Sequence, residues 1–378
     1  MSKAAELAAL IANVNNGSSL ANKNFIINGA MNVAQRGTSS TSISSAGYRT
    51  VDRWAIKENS SGIALTETQS TDTPSGEGFS NSLKWEVTTA DTSVASAERV
   101  HFGQTIEAQN LQSLQYGTSD AKPITLSFWV KSNVTGTYAV SIFKSDQTLR
   151  LLNKTYTINS VNTWEKKEIP IAGDTSGGGI DNNNGAGFQF DWFLTAGSGA
   201  TTSSTNEWEA WDGAKWAGGH AVNFGSSTSN NFYITGVQLE IGEKATEFEH
   251  EPYSVTLQKA QRYYQRYAET GGSGSNAYLR YGIGKCETTT VAECFINSHT
   301  IMRADPTFGT TGTVSNYAIY DAESVIACSG LVIQQSGHSN NQLFVLTATV
   351  SSGLTAGRAV SLMNNNTTAG YLEFIAEL

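Results

Sequence analysis

The sequence predicts an all-β protein: an antiparallel two-sheet sandwich followed by a smaller β-domain, with one amphipathic helix between them and a short helix at the start. Three observations predict this. Long stretches alternate apolar and polar residues with period two, the pattern of a strand with one face on a core. Gly is abundant, at 36 of 378 residues, and Ser, Thr and Asn crowd the segments between apolar runs; these residues suit turns and pleated surfaces. Charged residues are only 15%, fewer than a chain of long solvated helices carries.

Residues 1–23 read as a helix and a linker. Ala4, Leu7, Ile11 and Val14 fall at spacings of three, four and three, an apolar stripe too short to hold a coiled coil alone. It is read as an attachment segment, with a frayed tail as the alternative. From 24 to 252 the period is two. In "ITLSFWVKS", Ile124, Leu126, Phe128 and Val130 alternate with Thr125, Ser127, Trp129 and Lys131; in "FYITGVQLEIG", Val237, Leu239 and Ile241 share a face. Many short strands without intervening helices predict a sandwich. Two Gly-rich stretches, 172–187 and 195–219, are long for hairpins and are read as surface loops. The period changes again over 253–269, where Leu257, Ala260, Tyr264 and Tyr267 repeat at three, four and three beside a basic stripe of Lys259, Arg262 and Arg266. This predicts an amphipathic helix of about four turns, closed by a Gly/Ser linker to residue 275. Strands return over 276–378: "YLRYGIGKCE" and "TVAECFINS" are expected to pair, and Leu372, Phe374, Ala376 and Leu378 share a face in a packed last strand.

Composition excludes several classes. The net charge is −9, with no basic run of the kind that binds nucleic acid. No apolar stretch approaches the roughly twenty residues of a membrane-spanning helix, and the start lacks the basic-then-apolar pattern of a signal peptide. Neither a nucleic-acid partner nor membrane insertion is expected. Three cysteines, Cys286, Cys294 and Cys328, are odd in number and lack a Cys-x-x-Cys spacing; they are read as buried thiols, not a disulfide framework.

Five segments occur in order: "NFIINGAMNVAQRG", "YRTVDRW", "ITLSFWVKS", "ITGVQLEIGEKATEFEHEPYSVTLQKAQRYYQRY" and "MRADPTFGTTG". The ordered set resembles a family of tail-fibre and related virion proteins of tailed bacteriophages, closely over residues 22–250 and more loosely over 251–378. Ala260 stands where that family often has Cys. The resemblance implies a jelly-roll domain like that of carbohydrate-binding modules over 24–252, and a C-terminal β-domain over 276–378 as the distal receptor-binding tip. It also implies a homotrimer placed in the virion tail; the cysteine usage fits a protein made in the reducing host cytoplasm. Its N-terminal segment (Leu7, Ile11, Val14) would join other tail proteins, and the whole would attach multivalently to a host surface glycan or protein. A structural virion protein without receptor contact, or a tailspike-like glycan depolymerase, are the alternatives. Within the family motifs, Asn28-Gly29 is a turn dipeptide, and Asp52 and Arg53 beside Trp54 are read as a paired charge at a domain edge.

The candidate ligand site is "NEWEAWDGAKW". Trp208, Trp211 and Trp216 could stack on sugar rings while Glu207, Glu209 and Asp212 accept hydroxyl hydrogen bonds; loop anchoring is the competing reading. Trp192 is read as core. The oxygen-rich loop around Asp174, Asp181, Asn182, Asn183 and Asn184 could hold calcium, but it lacks EF-hand spacing, and Asx-Gly turns explain the same letters. Glu207 with Asp212, or Asp321 with Glu323, would be the carboxylate pair of a glycosidase, a pairing any acidic chain offers. No Gly-x-Ser-x-Gly, His-Glu-x-x-His or phosphate-loop motif occurs, and the five histidines are scattered. No enzyme activity, catalytic residue, metal or cofactor is expected. In a trimer, Leu257, Ala260, Tyr264 and Tyr267 would meet about the three-fold axis.

Overall fold

The computed structural model describes Lys3 and residues 23–59, 62–203, 206–269, 277–335 and 337–378. The N-terminal helix expected within 1–23, with Leu7, Ile11 and Val14, lies outside the described residues, as does the Gly/Ser linker over 270–275. The chain divides into two units, Met1–Thr256 with Leu378, and Leu257–Glu377.

Among the described residues, the first unit has β1 (Ser39–Ile43), β2 (Gly47–Tyr48), β3 (Ala55–Asn59), β4 (Ala64–Ser70), β5 (Ser82–Thr89), β6 (Arg99–Glu107), β7 (Ile124–Ser132), β8 (Gly136–Lys144), β9 (Arg150–Ile158), β10 (Glu165–Ile171), β11 (Ala186–Ala196), β12 (Glu209–Ala210) and β13 (Asn231–Ile241). A six-stranded sheet has the order β1-β4-β5-β13-β7-β10, and a seven-stranded sheet the order β12-β9-β8-β11-β6-β3-β2. Paired strands run antiparallel throughout. The inward residues of both sheets form one apolar core, so the unit is a β-sandwich. The alternation in β7 comes out as written, with Ile124, Leu126, Phe128 and Val130 buried in that core. In β13 the phase changes: Phe232 and Ile234 point inward, then Val237 and Leu239. The register breaks between Thr235 and Gln238, where Gly236 takes φ +62°. A bulge there inserts one residue and carries the apolar set onto the odd positions.

The Asn28 turn is part of the same core. Asn28 holds φ +59°, and its buried side chain donates to the carbonyls of Val33 and Asp52 and accepts from the Val33 N–H. A Cβ on Gly29 would lie 2.0 Å from the Val237 carbonyl oxygen, so the chain passes there only as glycine. Asp52, Arg53 and Trp54 are fully buried, not set at a domain edge. Asp52 accepts from Gln35 and faces Arg36 at 3.6 Å, Arg53 donates to the Thr105 carbonyl, and the Trp54 indole N–H donates to the Asn28 carbonyl.

Helix α1 (Tyr253–Gln261) is shorter than the sequence predicts. Tyr264 and Tyr267 lie on β14 (Tyr264–Ala268), which pairs with β22 (Tyr371–Ile375). A Tyr-rich five-residue segment fits either period, and its aromatic residues favour a strand once a partner exists. That partner lies about a hundred residues away in the chain. The stripe of Leu257, Ala260, Tyr264 and Tyr267 therefore does not exist as one helical face. Ala260 and Tyr264 are buried inside the second unit, and the Tyr264 hydroxyl donates to Glu373.

The second unit also holds β15 (Arg280–Cys286), β16 (Val291–Asn297), β17 (Thr307–Thr310), β18 (Tyr317–Tyr320), β19 (Val325–Ile333), β20 (Leu343–Val350) and β21 (Ala359–Asn364). Six of these close a barrel in the order β15-β16-β20-β19-β18-β21, and β14-β22-β17 form a three-stranded sheet. The expected β15–β16 pairing is present, with Ile283 opposite Phe295. Leu372, Phe374 and Ala376 pack in the core, and Phe374 stacks on Phe344 at 3.9 Å. Cys286, Cys294 and Cys328 are buried free thiols; burial pushes Cys294 and Cys328 up to about 12. Among the described residues no helix is long and apolar enough to cross a membrane.

Replacing Asn28 by Ala strands the buried Val33 N–H and Asp52 carbonyl, leaves the Val33 carbonyl with the Asp52 N–H alone, and keeps an unfavourable φ. The expected loss is roughly 2–4 kcal/mol, read as a lower urea midpoint with unchanged slope. A loss under about 1 kcal/mol would mean that the turn holds without these bonds.

Candidate functional site

The three tryptophans of the Gly-rich loop do not form one platform. The loop is divided by β12, the edge strand of the seven-stranded sheet, which pairs with β9 through Glu209–Leu151 and Ala210–Arg150. Trp208 precedes it and packs on the inner side, its indole stacked on the core residue Phe188 at 5.9 Å and edge-on to Tyr116 at 5.7 Å. Trp211 follows it on the outer side, against Phe143 at 4.7 Å and Trp216 at 5.1 Å. The period-two pleat explains the split: residues on either side of a two-residue strand can pass to opposite faces. Glu209 forms an ion pair with Lys215. Asp212 caps the 3-10 turn Gly213–Lys215 by accepting from the Ala214 N–H, so it serves the loop backbone.

Trp208 lines a cleft of about 920 Å³ between β9 and β10, with Arg150, Lys154, Asp174, Glu207 and Glu243 among its walls. Arg150 organises it. Its guanidinium meets Asp174 through Nε and NH2 at 3.1 and 3.2 Å, and NH2 also donates to Ser176 Oγ and to the Trp208 carbonyl. The planar fork thus ties the 172–176 loop to the Trp208 backbone. The indole N–H donates to the Ala172 carbonyl at 2.8 Å, which fixes the ring. Lys154 donates to the Asn206 carbonyl at 2.8 Å; burial lowers its ammonium from the ordinary value, against the opposing pull of Glu207. A half-buried indole flanked by carboxylates, an ammonium and backbone carbonyls can take the apolar face of a sugar ring and bond its hydroxyls.

Of the residues lining this cleft, the sequence singles out Trp208 and Glu207 but not Arg150, Lys154 or Glu243. These come from β9 and from the segment after β13, and no local window joins them to the loop. Asp174, considered as a calcium ligand, is Arg150's partner. Asp321 accepts from the Ser324 and Glu323 N–H groups and pairs with Arg358, a turn-holding role. Among the described residues no group of three His, Cys, Asp or Glu could hold a metal.

On the outer face of the seven-stranded sheet, Trp216 covers a buried polar cluster. Asp191 receives Lys57 at 2.9 Å, the Trp216 indole N–H at 3.2 Å and Gln189. Burial alone would raise Asp191, but Lys57 and His101 outweigh it and hold the carboxyl below its usual value. His101 stacks on Phe193 at 4.8 Å and lies edge-on to Trp216 at 5.0 Å, facing Asp191, Lys57 and Arg99. Burial depresses its imidazolium to about 4, opposed by Asp191. His220, buried between Ala139 N–H and the Val222 carbonyl, is likewise depressed by burial to about 4.

No family model matches the chain, and no curated protein does. Among solved structures it is similar to the enzymatically active domain of bacteriophage CBA120 tailspike protein 4, with 15% identity over 58% of this chain and 22% of that one, TM-score 0.32. A putative sugar binding protein from Bacteroides thetaiotaomicron shows 12% identity over 58% and 100%, TM-score 0.33. A family 11 carbohydrate-binding module from Clostridium thermocellum shows 11% identity over 56% and 98%, TM-score 0.29. The match spans about a fifth of the tailspike chain's length. These are partial likenesses; the sandwich and its cleft stand on the chain's own geometry.

Neutral His101 and His220 imply an acid-labile first unit. Their depressed values mean that the unfolded chain takes up protons first, near pH 6.5. Stability is therefore lost as pH falls from about 6.5 toward 4, at about 1.4 kcal/mol per pH unit for each group. Glu67, raised by burial to about 7, acts oppositely over the same window, so the single variant isolates the effect. His101→Phe should flatten the fall in urea midpoint across that window, and an unchanged slope would show that His101 is not held neutral.

Proposed function

We propose that this chain is a non-catalytic, glycan-binding virion protein of a tailed bacteriophage, a tail fibre or receptor-binding protein. Its first unit would be a jelly-roll body that holds a host surface glycan in the cleft beside Trp208. The observation that carries the glycan reading is the fixed indole, locked by its own N–H and by the Arg150–Asp174 fork at the wall of a polar cleft. A preformed aromatic wall spends little ordering entropy on binding. The virion reading is supported by the ordered motifs from Asn24 to Gly312. In this reading the protein is a homotrimer attached to other tail proteins through its N-terminal segment, and several weak sites add up to firm attachment.

The experiment is binding of the purified full chain to an array of bacterial surface polysaccharides and to host cells. Trp208→Ala should weaken glycan binding at least about tenfold, the scale of one lost stacking contact. Because Trp208 also touches the core, Glu243→Gln and Lys154→Ala serve as further cleft variants. They should weaken binding while leaving the urea midpoint in place; Trp216→Ala should not weaken it. Release of reducing ends from a bound polysaccharide would instead assign a depolymerase, and a folded protein binding no glycan or cell would assign a structural virion role.

A further inference from the structure

The cleft beside Trp208 has more carboxylates than cations. Arg150 and Lys154 meet Asp174, Glu207 and Glu243 along its wall. Four of these charges are balanced within the wall. The Arg150 guanidinium lies against the Asp174 carboxylate at 3.1 and 3.2 Å, and the Lys154 ammonium feels the pull of Glu207. Glu243 remains. It lies on the segment after β13, it is exposed, and no ion pair or hydrogen bond engages it among the described residues. Lys122 and Lys244 adjoin the lining residues Pro123 and Glu243 in the chain, but neither lines the cleft.

Hydrogen-bonding capacity is distributed in the same way. Each strong donor of the wall already has a partner in the protein. The Trp208 indole N–H goes to the Ala172 carbonyl, Lys154 donates to the Asn206 carbonyl, and Arg150 donates to Asp174, to Ser176 and to the Trp208 carbonyl. The Ser176 hydroxyl in turn donates to Asp174. The Glu243 carboxylate stands open, and an ionised carboxylate only accepts. A sugar hydroxyl can donate to it. A sugar carboxylate, sulfate or phosphate cannot, and it would lose water beside an unbalanced like charge.

We propose that the cleft selects uncharged glycans: it takes chains of hydroxyl-bearing sugars, and the carboxylates of Glu207 and Glu243 turn acidic polysaccharides away. This selectivity rests on the glycan reading of the cleft and narrows it to one class of sugar. Lys154 is the cation that an acidic sugar would seek, but Glu207 already balances it, and burial disfavours its charge. Repulsion then acts at two ranges. At contact, the unbalanced carboxylate is the repulsive element that a selective site sets against the wrong ligand. Beyond contact, the chain's net charge of −9 opposes a polyanion until salt screens it, over about 8 Å at physiological ionic strength. A neutral sugar meets neither barrier.

The test uses the full chain and matched pairs of glycans. Each neutral polysaccharide bound on the array is assayed beside its own derivative with primary alcohols oxidised to carboxylates. Each uronic-acid polysaccharide is assayed beside its carboxyl-reduced form. Affinities are read by calorimetry near neutral pH. The acidic member of each pair should bind at least about tenfold weaker, and the gap should narrow as salt is raised. Glu243→Gln should lower affinity for the neutral member, raise it for the acidic member, and leave the urea midpoint unchanged, since the side chain is exposed. Oxidation that merely removed a needed hydroxyl would leave a gap that neither salt nor Glu243→Gln moves. That outcome would overturn the proposal, as would acidic members binding as tightly as neutral ones; in both cases the glycan reading stands. A folded chain that binds neither member of any pair would overturn the glycan reading and the selectivity with it.

Discussion

The first unit depends on an aromatic cluster clamped between its two sheets. Trp192 of β11 lies against Phe102 at 6.0 Å, against Phe128 across the sandwich at 5.8 Å, and against Trp54 at 5.5 Å. All four rings are fully buried. Each contributes a large apolar area together with an offset or edge-on contact that favours one geometry over others. The Asn28 turn also holds Trp54, its carbonyl receiving the indole N–H. The opening motif is thus tied to the centre of the core through one hydrogen bond and one set of rings.

That core has an end, and the cleft occupies it. Phe188 closes the apolar interior, Trp208 stacks on it, and beyond the indole the walls become polar. Arg150 cannot be left without partners at such a boundary, and the Asp174 fork with two further acceptors supplies them. The same interactions that satisfy a half-buried guanidinium therefore hold the cleft rigid. Polar burial serves a different end on the outer face. There the Lys57–Asp191–Trp216 contacts pin a loop onto the sheet and leave His101 neutral beneath it.

Much of the fold was legible because a strand's faces are written every second residue. The alternation of β7, the pairing of β15 with β16 and the packed face of β22 follow from residues within one local window. The phase change in β13 was not legible, since it turns on a bulge at Gly236. Tyr264 and Tyr267 are illegible for a related reason: they continue the helical spacing of Leu257 and Ala260, yet Tyr264–Ala268 is also a five-residue aromatic strand. Only β22, supplied from the end of the chain, decides between them. In the Trp-rich loop, the residue types suggested one platform, but the two-residue strand that sends Trp208 and Trp211 to opposite faces carries no local signal.

The sequence by itself determined the class of architecture, the burial of the alternating apolar sets and the free state of the thiols, because these depend on composition and on neighbours a few residues apart. Tertiary structure alone decided which polar residues meet. Arg150 with Asp174 and Trp208, and Asp191 with Lys57 and His101, each join segments distant in the chain. Hydrogen bonds and ion pairs act over a few ångströms, and only folding brings those partners within that reach.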